Sequence, residues 1–168
     1  MNMRNNFRGI ILFFINHFMA GNYLWKVKSC LIRLSGVSIG HNVKVVAPIK
    51  IDICSNVQIG DNCWIGKNLK IIGNADVTIG KNCDFAPDIC LVTGNHEIGT
   101  YERRAGKGYC EPIHIGEGCW IGVRVTILSG VNVGNGSILA AGSVVNKSVD
   151  DNVVVGGVPA KTIKSLNR

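Results

Sequence analysis

The side chains best suited to proton transfer near neutral pH are the four histidines, and one of them lies in a setting that suggests catalysis. An unperturbed imidazole gains and loses its proton near the working pH, so it suits the role of a general base. His96 ends the stretch Thr93-Gly94-Asn95-His96, at the point where a regular repeat stops and a glycine-rich segment begins. Because a single histidine is a structural or surface residue in most proteins, the position alone makes His96 only a candidate.

The other histidines and the cysteines offer weaker chemistry. His114 stands between two isoleucines and is expected to point outward, at the surface or an interface, and the remaining two histidines have no catalytic context. The seven cysteines contain no Cys-x-x-Cys pair, so they indicate neither a disulfide framework nor a thiolate zinc site. Cys63, Cys83 and Cys119 share a repeat position that Ser, Ala and Val fill elsewhere, which predicts packing in the core.

A six-residue repeat predicts the scaffold that positions His96. Fifteen apolar residues recur in triplets at steps of six: Ile39, Val45, Ile51; Ile59, Ile65, Ile71; Ile79, Phe85, Leu91; Ile115, Ile121, Ile127; Val133, Leu139, Val145. Three six-residue sides per coil make a triangular prism of short parallel strands, in which each coil rests its apolar residues on the coils above and below. The sequence therefore predicts an all-β protein, a parallel β-helix of about five coils.

One step of the repeat is too long. Leu91 and Ile115 are separated by 24 residues instead of six, and the residues between them include four glycines that interrupt any six-residue pattern. We therefore expect residues 93–112 to leave the prism as an extruded loop. Long loops on rigid scaffolds often carry function.

The two ends of the chain lack the repeat. Residues 1–36 place apolar residues at helical spacing, interrupted by Gly21-Asn22, which predicts two helical segments that cover the open end of the first coil. We divide the chain into a helical cap at 1–36, the β-helix at 37–155 and a C-terminal tail at 156–168.

The charge of the chain is concentrated in its first third. The net charge is +7, and residues 1–51 contain seven Lys and Arg and no Asp or Glu. Such a basic end can steer an anionic ligand or rest on a membrane surface, and the sign alone does not choose between them. We expect a cytoplasmic protein that does not bind nucleic acid, with the cap in contact with the inner face of the membrane as a further expectation. The cations expected to face anionic lipid are Arg4, Arg8, Lys26, Lys28 and Arg33.

Two further motifs complete the pattern. The prism resumes at Ile115-Gly116-Glu117-Gly118-Cys119-Trp120-Ile121-Gly122, and it ends with Gly157-Val158-Pro159-Ala160-Lys161. Together with the hexapeptide array and the His96 stretch, these motifs resemble the left-handed β-helix acyltransferases, specifically the maltose/galactoside O-acetyltransferase branch and its polysaccharide-biosynthesis relatives. The resemblance covers about residues 36–165. It also implies the left-handed coil, which periodicity does not show and which departs from the usual right-handed crossover.

The resemblance implies an acetyl-CoA donor, a homotrimer with sites between adjacent prisms, and His96 as general base. No serine or cysteine lies in a recognisable nucleophile setting, so we expect direct attack within a ternary complex. The group that holds the second ring nitrogen of His96 stays open between Asp84 and a backbone carbonyl. The implied donor contacts are Trp120, at the thiol and acceptor end, Gly122, Ala141, Gly142 and Ser143 along the pantetheine arm, and Lys147 and Lys161 at the phosphates.

The acceptor is the least determined part of the site. Asn68 and Asn95 are the candidate contacts, the former aligned with a sugar-contacting asparagine of the family. The acidic acceptor-binding residue of the sugar acetyltransferases has no counterpart in the carboxylate-free first 51 residues. This departure favours an intermediate of surface polysaccharide assembly over free maltose or galactosides.

Two other functions share the predicted prism. A zinc enzyme of the γ-carbonic anhydrase type needs histidines that converge on one metal ion, but the loop between His96 and His114 breaks their register and no third histidine is near. We therefore assign no metal ligands. A non-catalytic scaffold is the second alternative, and binding of coenzyme A separates the transferase from both.

Overall fold

The computed structural model describes residues 3–52 and 55–167, with side chains from residue 7 onward. Two helices, α1 (Met3–Phe18) and α2 (Trp25–Leu34), precede the strands. The first three coils contain β1 (Ser38–Ile39), β2 (Lys44–Val45) and β3 (Lys50–Ile51); β4 (Val57–Ile59), β5 (Trp64–Ile65) and β6 (Lys70–Ile72); β7 (Val77–Ile79), β8 (Asp84–Phe85) and β9 (Cys90–Val92).

A hairpin then interrupts the coils before they continue to the C-terminus. The remaining strands are β10 (Gly94–Ile98) and β11 (Ala105–Cys110) in the hairpin; β12 (Ile113–Ile115), β13 (Trp120–Ile121) and β14 (Thr126–Ile127); β15 (Asn132–Val133), β16 (Ile138–Leu139) and β17 (Val144–Val145); and finally β18 (Val153–Gly157) and β19 (Ala160–Ser165).

Equivalent strands of successive coils pair in parallel and form the three sides of the prism. We call the stack of first strands face one (β1, β4, β7, β12, β15), the stack of second strands face two (β2, β5, β8, β13, β16, β18) and the stack of third strands face three (β3, β6, β9, β14, β17). Five coils are complete, and β18 begins a partial sixth. The expected β-helix of about five coils is confirmed.

The core lies along the axis of the prism. All fifteen apolar residues of the repeat are buried, and none is more than 6% exposed. Glycine follows several of them because the next coil passes close by: a Cβ on Gly60 would lie 2.5 Å from the backbone nitrogen of Lys81. The small residue at this corner thus permits the coil spacing that brings the apolar residues into contact.

The extruded segment is a two-stranded antiparallel hairpin, and it leaves the prism between face three and face one. After it, β12 pairs directly with β7, with Ile113 opposite Val77 and Ile115 opposite Ile79. The prism therefore continues in register as though the hairpin were absent. At the other end, β19 folds back antiparallel on β18, so most of the segment assigned as a tail is a strand that closes the edge of face two.

Part of the cap differs from the expectation. Arg8 and Lys28 are buried: the Arg8 guanidinium donates to the carbonyl oxygens of Ser35 and Ser55, and Lys28 Nζ donates to Gly21 O. Arg33 donates to Ile39 O. Arg8 and Lys28 hold the helices to each other and to the first coil, so the prediction that these two cations face lipid is wrong. Arg33 is exposed, and its contact with lipid stays a prediction. The side chain of Arg4 lies outside the described residues.

Candidate active site

His96 lies on β10, on the exposed hairpin. Its ring Nδ1 is 3.0 Å from the carbonyl oxygen of Gly106. A carbonyl oxygen only accepts hydrogen bonds, so Nδ1 must carry the proton and the neutral imidazole keeps its lone pair on Nε2. This tautomer can take a proton from a hydroxyl group that reaches Nε2.

Hydrogen bonds to the backbone of His96 position its imidazole on the hairpin. The Asn95 side-chain oxygen accepts the backbone N–H of His96 at 2.8 Å, and Gly108 lies opposite His96 in the strand register. A Cβ on Gly108 would lie 3.5 Å from the imidazole Cε1, so the missing side chain leaves the ring room over the strand. At the hairpin turn, a Cβ on Gly99 would overlap the carbonyl oxygen of Arg103.

The partner of the second ring nitrogen of His96, which the sequence leaves open between Asp84 and a backbone carbonyl, is therefore the carbonyl of Gly106. Asp84 lies on β8 of face two, between Trp64 and Trp120 in the strand register. Within the part of the chain that the structure describes, no hydrogen bond joins its carboxylate to His96. Within one chain, the Gly106 carbonyl and not the Asp84 carboxylate orients the imidazole.

An apolar groove of about 440 Å³ runs over face two and the adjacent corner. Its lining residues are Ala86, Trp120, Gly122, Val123, Ile138, Leu139, Ala140 and Ala141. Trp120 is 57% exposed and gives the groove a large aromatic surface. A Cβ on Gly122 would lie 2.6 Å from the backbone nitrogen of Ala141, so glycine is required there by the next coil. The groove suits a slender, largely apolar chain.

Two residues predicted beside this groove have other places. Gly142 is an exposed corner residue with φ of 72°. Ser143 is fully buried: its hydroxyl donates to Ala140 O at 2.6 Å and accepts the N–H of Gly157 at 3.3 Å. The Ser143 hydroxyl therefore points inward and holds the last coils together, and the contact of this small residue with the donor stays a prediction.

Lys147 and Lys161 line one pocket of about 280 Å³ near the C-terminal end of the prism. Both side chains are exposed, and Ser148, Asp150 and Thr162 line the same pocket. The fold thus brings together two cations that are 14 residues apart in the chain. Such a pair can bind an anionic group such as a phosphate.

Asn68 is not brought to His96. It lies at the corner between β5 and β6, with φ of 63°, and its amide donates to Asp88 Oδ1 at 2.8 Å. This corner joins face two to face three, whereas the hairpin leaves at the corner between face three and face one. The apolar groove runs over face two and its adjacent corner, so it is also away from the corner where the hairpin leaves. One chain therefore presents His96 and the groove on different sides of the prism.

The buried cysteines form a column in the core. The thiols of Cys63, Cys83 and Cys119 donate to the backbone oxygens of Gly80, Gly116 and Gly134, each in the next coil. The hydrogen bond with the Cys119 thiol, the contact with Cys63 and burial all raise the pKa of Cys83, which disfavours its thiolate. These side chains are packing residues. Among the described residues, no group of three or more His, Cys, Asp and Glu side chains is arranged to hold a metal ion.

Ala86 and Ala140 line the groove but were not predicted, although their place in the repeat, shared with the predicted Gly122, could have identified them. Ala86, Gly122 and Ala140 each follow a buried repeat residue, and the strand register stacks those buried residues directly. Three small residues in one column indicate a furrow on the surface of a β-helix. The sequence does not indicate that the Gly106 carbonyl contacts His96, because the pairing within the hairpin does not follow the six-residue repeat.

Comparisons with known proteins agree with this architecture. A family model described as "Hexapeptide repeat of succinyl-transferase" matches residues 56–84 and 112–147. The galactoside O-acetyltransferase of Escherichia coli K12 is 37% identical over 140 residues, which cover 83% of this chain and 69% of that protein. The chain belongs to the hexapeptide-repeat acyltransferase family. Against the Saccharomyces cerevisiae protein YJL218W the match is shorter, with 42% identity over 48% of this chain and 41% of the relative.

Solved structures of the family superpose on nearly the whole chain. A galactoside acetyltransferase in complex with coenzyme A has a TM-score of 0.87 at 33% identity, over 98% of this chain and 81% of that one. The hexapeptide-repeat acetyltransferase VCA0836 of Vibrio cholerae, complexed with acetyl coenzyme A, has a TM-score of 0.85 at 30% identity, over 98% and 88%. The fold is the left-handed parallel β-helix of this family.

Proposed function

We propose that the protein transfers an acetyl group from acetyl-CoA to a hydroxyl of a sugar-containing acceptor, with His96 as the general base. The observation that carries the proposal is the hydrogen bond between His96 Nδ1 and Gly106 O, because it leaves Nε2 free to accept a proton. Family membership supports the acetyl donor, since relatives have been solved with coenzyme A and with acetyl coenzyme A.

The reaction proceeds by direct attack within a ternary complex. His96 Nε2 takes the proton of the acceptor hydroxyl as its oxygen attacks the carbonyl carbon of the thioester. The tetrahedral intermediate then collapses, the carbon–sulfur bond breaks, and the leaving thiolate takes the proton from Nε2. The acetyl group ends on the acceptor oxygen, and the histidine returns to its neutral state.

The donor occupies the groove and pocket on the surface of the prism. The pantetheine arm lies in the apolar groove beside Trp120, Gly122 and Ala141, and its phosphates bind Lys147 and Lys161. Coenzyme A is anionic at one end and largely apolar along its arm, which matches a basic pocket and an apolar groove on the same C-terminal coils.

The complete site forms between two chains of a homotrimer. In one chain, the hairpin that carries His96 and the groove lie on different sides of the prism. A neighbouring prism that places its hairpin against the groove would bring base and thioester together, and a cyclic trimer repeats this contact three times.

The acceptor is a sugar unit of a surface-polysaccharide precursor, contacted by Asn95 near the base and by Asn68, in a cytoplasmic setting. Asn95 is exposed next to His96, and Asn68 borders a pocket that also contains Lys50 and Lys70. The absence of carboxylates from residues 1–51 supports an acceptor unlike free galactosides.

A thiol-release assay tests the function. Acetyl-CoA is incubated with the protein and a panel of sugars, sugar nucleotides and lipid-linked sugars, and free thiol is measured. We expect release that depends on one class of hydroxyl acceptor and on His96. A scaffold would bind no coenzyme A, and an amine-only dependence would contradict O-acetylation.

A further inference from the structure

Helix α1 has an exposed apolar face that nothing in the prism covers. Its opposite side carries buried Ile11 and Ile15, and Asn16 exchanges two hydrogen bonds with the backbone of Ile49 in the first coil. The apolar face itself consists of side chains exposed by between 48% and 65%: Phe7, Ile10, Phe13, Phe14 and Phe18. Single exposed apolar residues are ordinary, but an aromatic group of this size marks an interaction surface.

Helix α2 and the turn before it also expose apolar side chains. Tyr23, Leu24, Val27 and Leu34 are each about half exposed or more. The exposed apolar side chains therefore continue from α1 to its neighbour, although α2 packs its buried residues, such as Ile32, against the prism.

Charge favours a lipid surface as the occupant over a second copy of the same face. Residues 1–51 contain no carboxylate, and Lys26 and Lys44 are exposed beside the Trp25 ring, with Nζ at 5.5 and 5.9 Å from its centroid. Two such faces pressed together would oppose cations with no carboxylate from either cap to pair with them. Anionic lipid headgroups supply the missing charge.

The length of the helix favours a position parallel to the surface. Helix α1 has 16 residues, and no helix in the described parts of the chain is long and apolar enough to cross a membrane. Aromatic residues on one side and a packed scaffold on the other are typical of a helix that lies in the lipid interface. We propose that the apolar face of α1 inserts into the interfacial layer of an anionic membrane and docks the enzyme there.

This docking differs from attraction by a basic end alone. Arg8 and Lys28 are buried and bind backbone oxygens within the protein, whereas Lys26, Arg33, Lys44 and Lys50 are exposed. Burial of phenylalanine side chains supplies an apolar part of the affinity that salt does not screen, and the exposed cations add a salt-sensitive part.

Vesicle flotation with the full chain tests the proposal. The vesicles are phosphatidylcholine alone and phosphatidylcholine with phosphatidylglycerol, each at low and high salt. We expect binding that is strongest on the anionic vesicles and that persists in part at high salt. The double variant Phe14→Ser/Phe18→Ser should bind at least about tenfold more weakly.

The matched control is Val158→Ser/Ile163→Ser, which removes two apolar side chains that are 72% and 63% exposed at the other end of the prism. It should bind vesicles like the wild type. Light scattering of each variant reports its oligomeric state. Lack of wild-type binding to any vesicle overturns the proposal, as does equal loss in the control. If Phe14→Ser/Phe18→Ser dissociates the oligomer, the face is a subunit contact and the proposal is also wrong.

Discussion

At the scale of single residues, the site rests on one imidazole whose tautomer is set by a carbonyl oxygen. A carboxylate partner would stabilise the imidazolium that forms during attack, whereas the Gly106 carbonyl offers only its dipole. The histidine can therefore return its proton readily to the leaving thiolate. The Asn95 side chain fixes the backbone of His96 by a hydrogen bond, and the absence of a side chain at Gly108 leaves space beside the imidazole.

Replacement of His96 by alanine should abolish most turnover without weakening the binding of the acetyl-CoA donor. The side chain is exposed and does not pack in the core, so folding should be unchanged. We expect the rate to fall by roughly 10² to 10⁴, the usual contribution of a positioned base. Steady-state thiol release and calorimetric binding of coenzyme A measure the two effects. His114→Ala, an exposed histidine on β12, is the control, and loss of coenzyme A binding in His96→Ala would refute the role as base.

Replacement of Lys147 or Lys161 by glutamine should weaken coenzyme A binding roughly five- to twentyfold, because each removes one charge from a partly solvated phosphate contact. Binding of acetyl-pantetheine, which lacks the nucleotide, should not change. Lys164→Gln removes a nearby exposed cation that does not line the pocket and serves as the control. Equal effects on both ligands would show that these lysines do not contact the nucleotide.

At the scale of elements, a stacked column of strands supplies both the core and the groove. Ile65→Ala removes a fully buried side chain between the first and third coils, and we expect a loss of about 2–5 kcal/mol in the free energy of unfolding. Chemical denaturation measures it. Gln58→Ala, on the exposed side of β4, should change stability by less than about 0.5 kcal/mol. A small effect at Ile65 would mean that the coils are not tightly packed there.

The groove can be blocked at its exposed rim. Ala141→Phe should raise the KM for acetyl-CoA by about tenfold or more, because the ring occupies space that the pantetheine arm needs. Ala141→Ser at the same position keeps the groove open and should behave like the wild type. An unchanged KM in the phenylalanine variant would place the donor elsewhere.

The strand pattern could be predicted from the sequence because the repeat reports directly which residues face the axis. Ile39 and Val145, at its two ends, are both buried as expected. The hairpin could be predicted only as an interruption, since its pairing of His96 with Gly108 does not depend on the six-residue period. The repeat position of Ser143 likewise indicates the burial that the structure has, which the family resemblance alone does not.

At the scale of the whole molecule, the separation of His96 from the groove predicts that activity depends on assembly. Light scattering should give a mass about three times the 18.1 kDa of one chain. An active monomer in dilute neutral buffer would contradict the proposed site.

Mixed trimers provide a stricter test. His96→Ala and Ala141→Phe chains should each keep about a tenth or less of the wild-type rate at low acetyl-CoA, but a mixed trimer can pair an intact hairpin with an intact groove. Random assembly of equal amounts should restore about a quarter of the wild-type sites. Activity should appear only after the chains are unfolded and refolded together. Failure to recover activity in verified mixed trimers would show that base and groove act within one chain.

The hairpin also has a consequence for how the chain folds. Val57 and Val77, on neighbouring coils, are 20 residues apart, whereas Val77 and Ile113, which pair across the hairpin, are 36 apart. Loop-closure entropy grows only with the logarithm of this separation, so the longer connection adds less than about 0.6 kcal/mol to the closure of that coil. Coils can therefore continue to form one after another beyond the hairpin with little additional entropic cost. The hairpin that carries His96 can thus differ in length while the scaffold beneath it still forms.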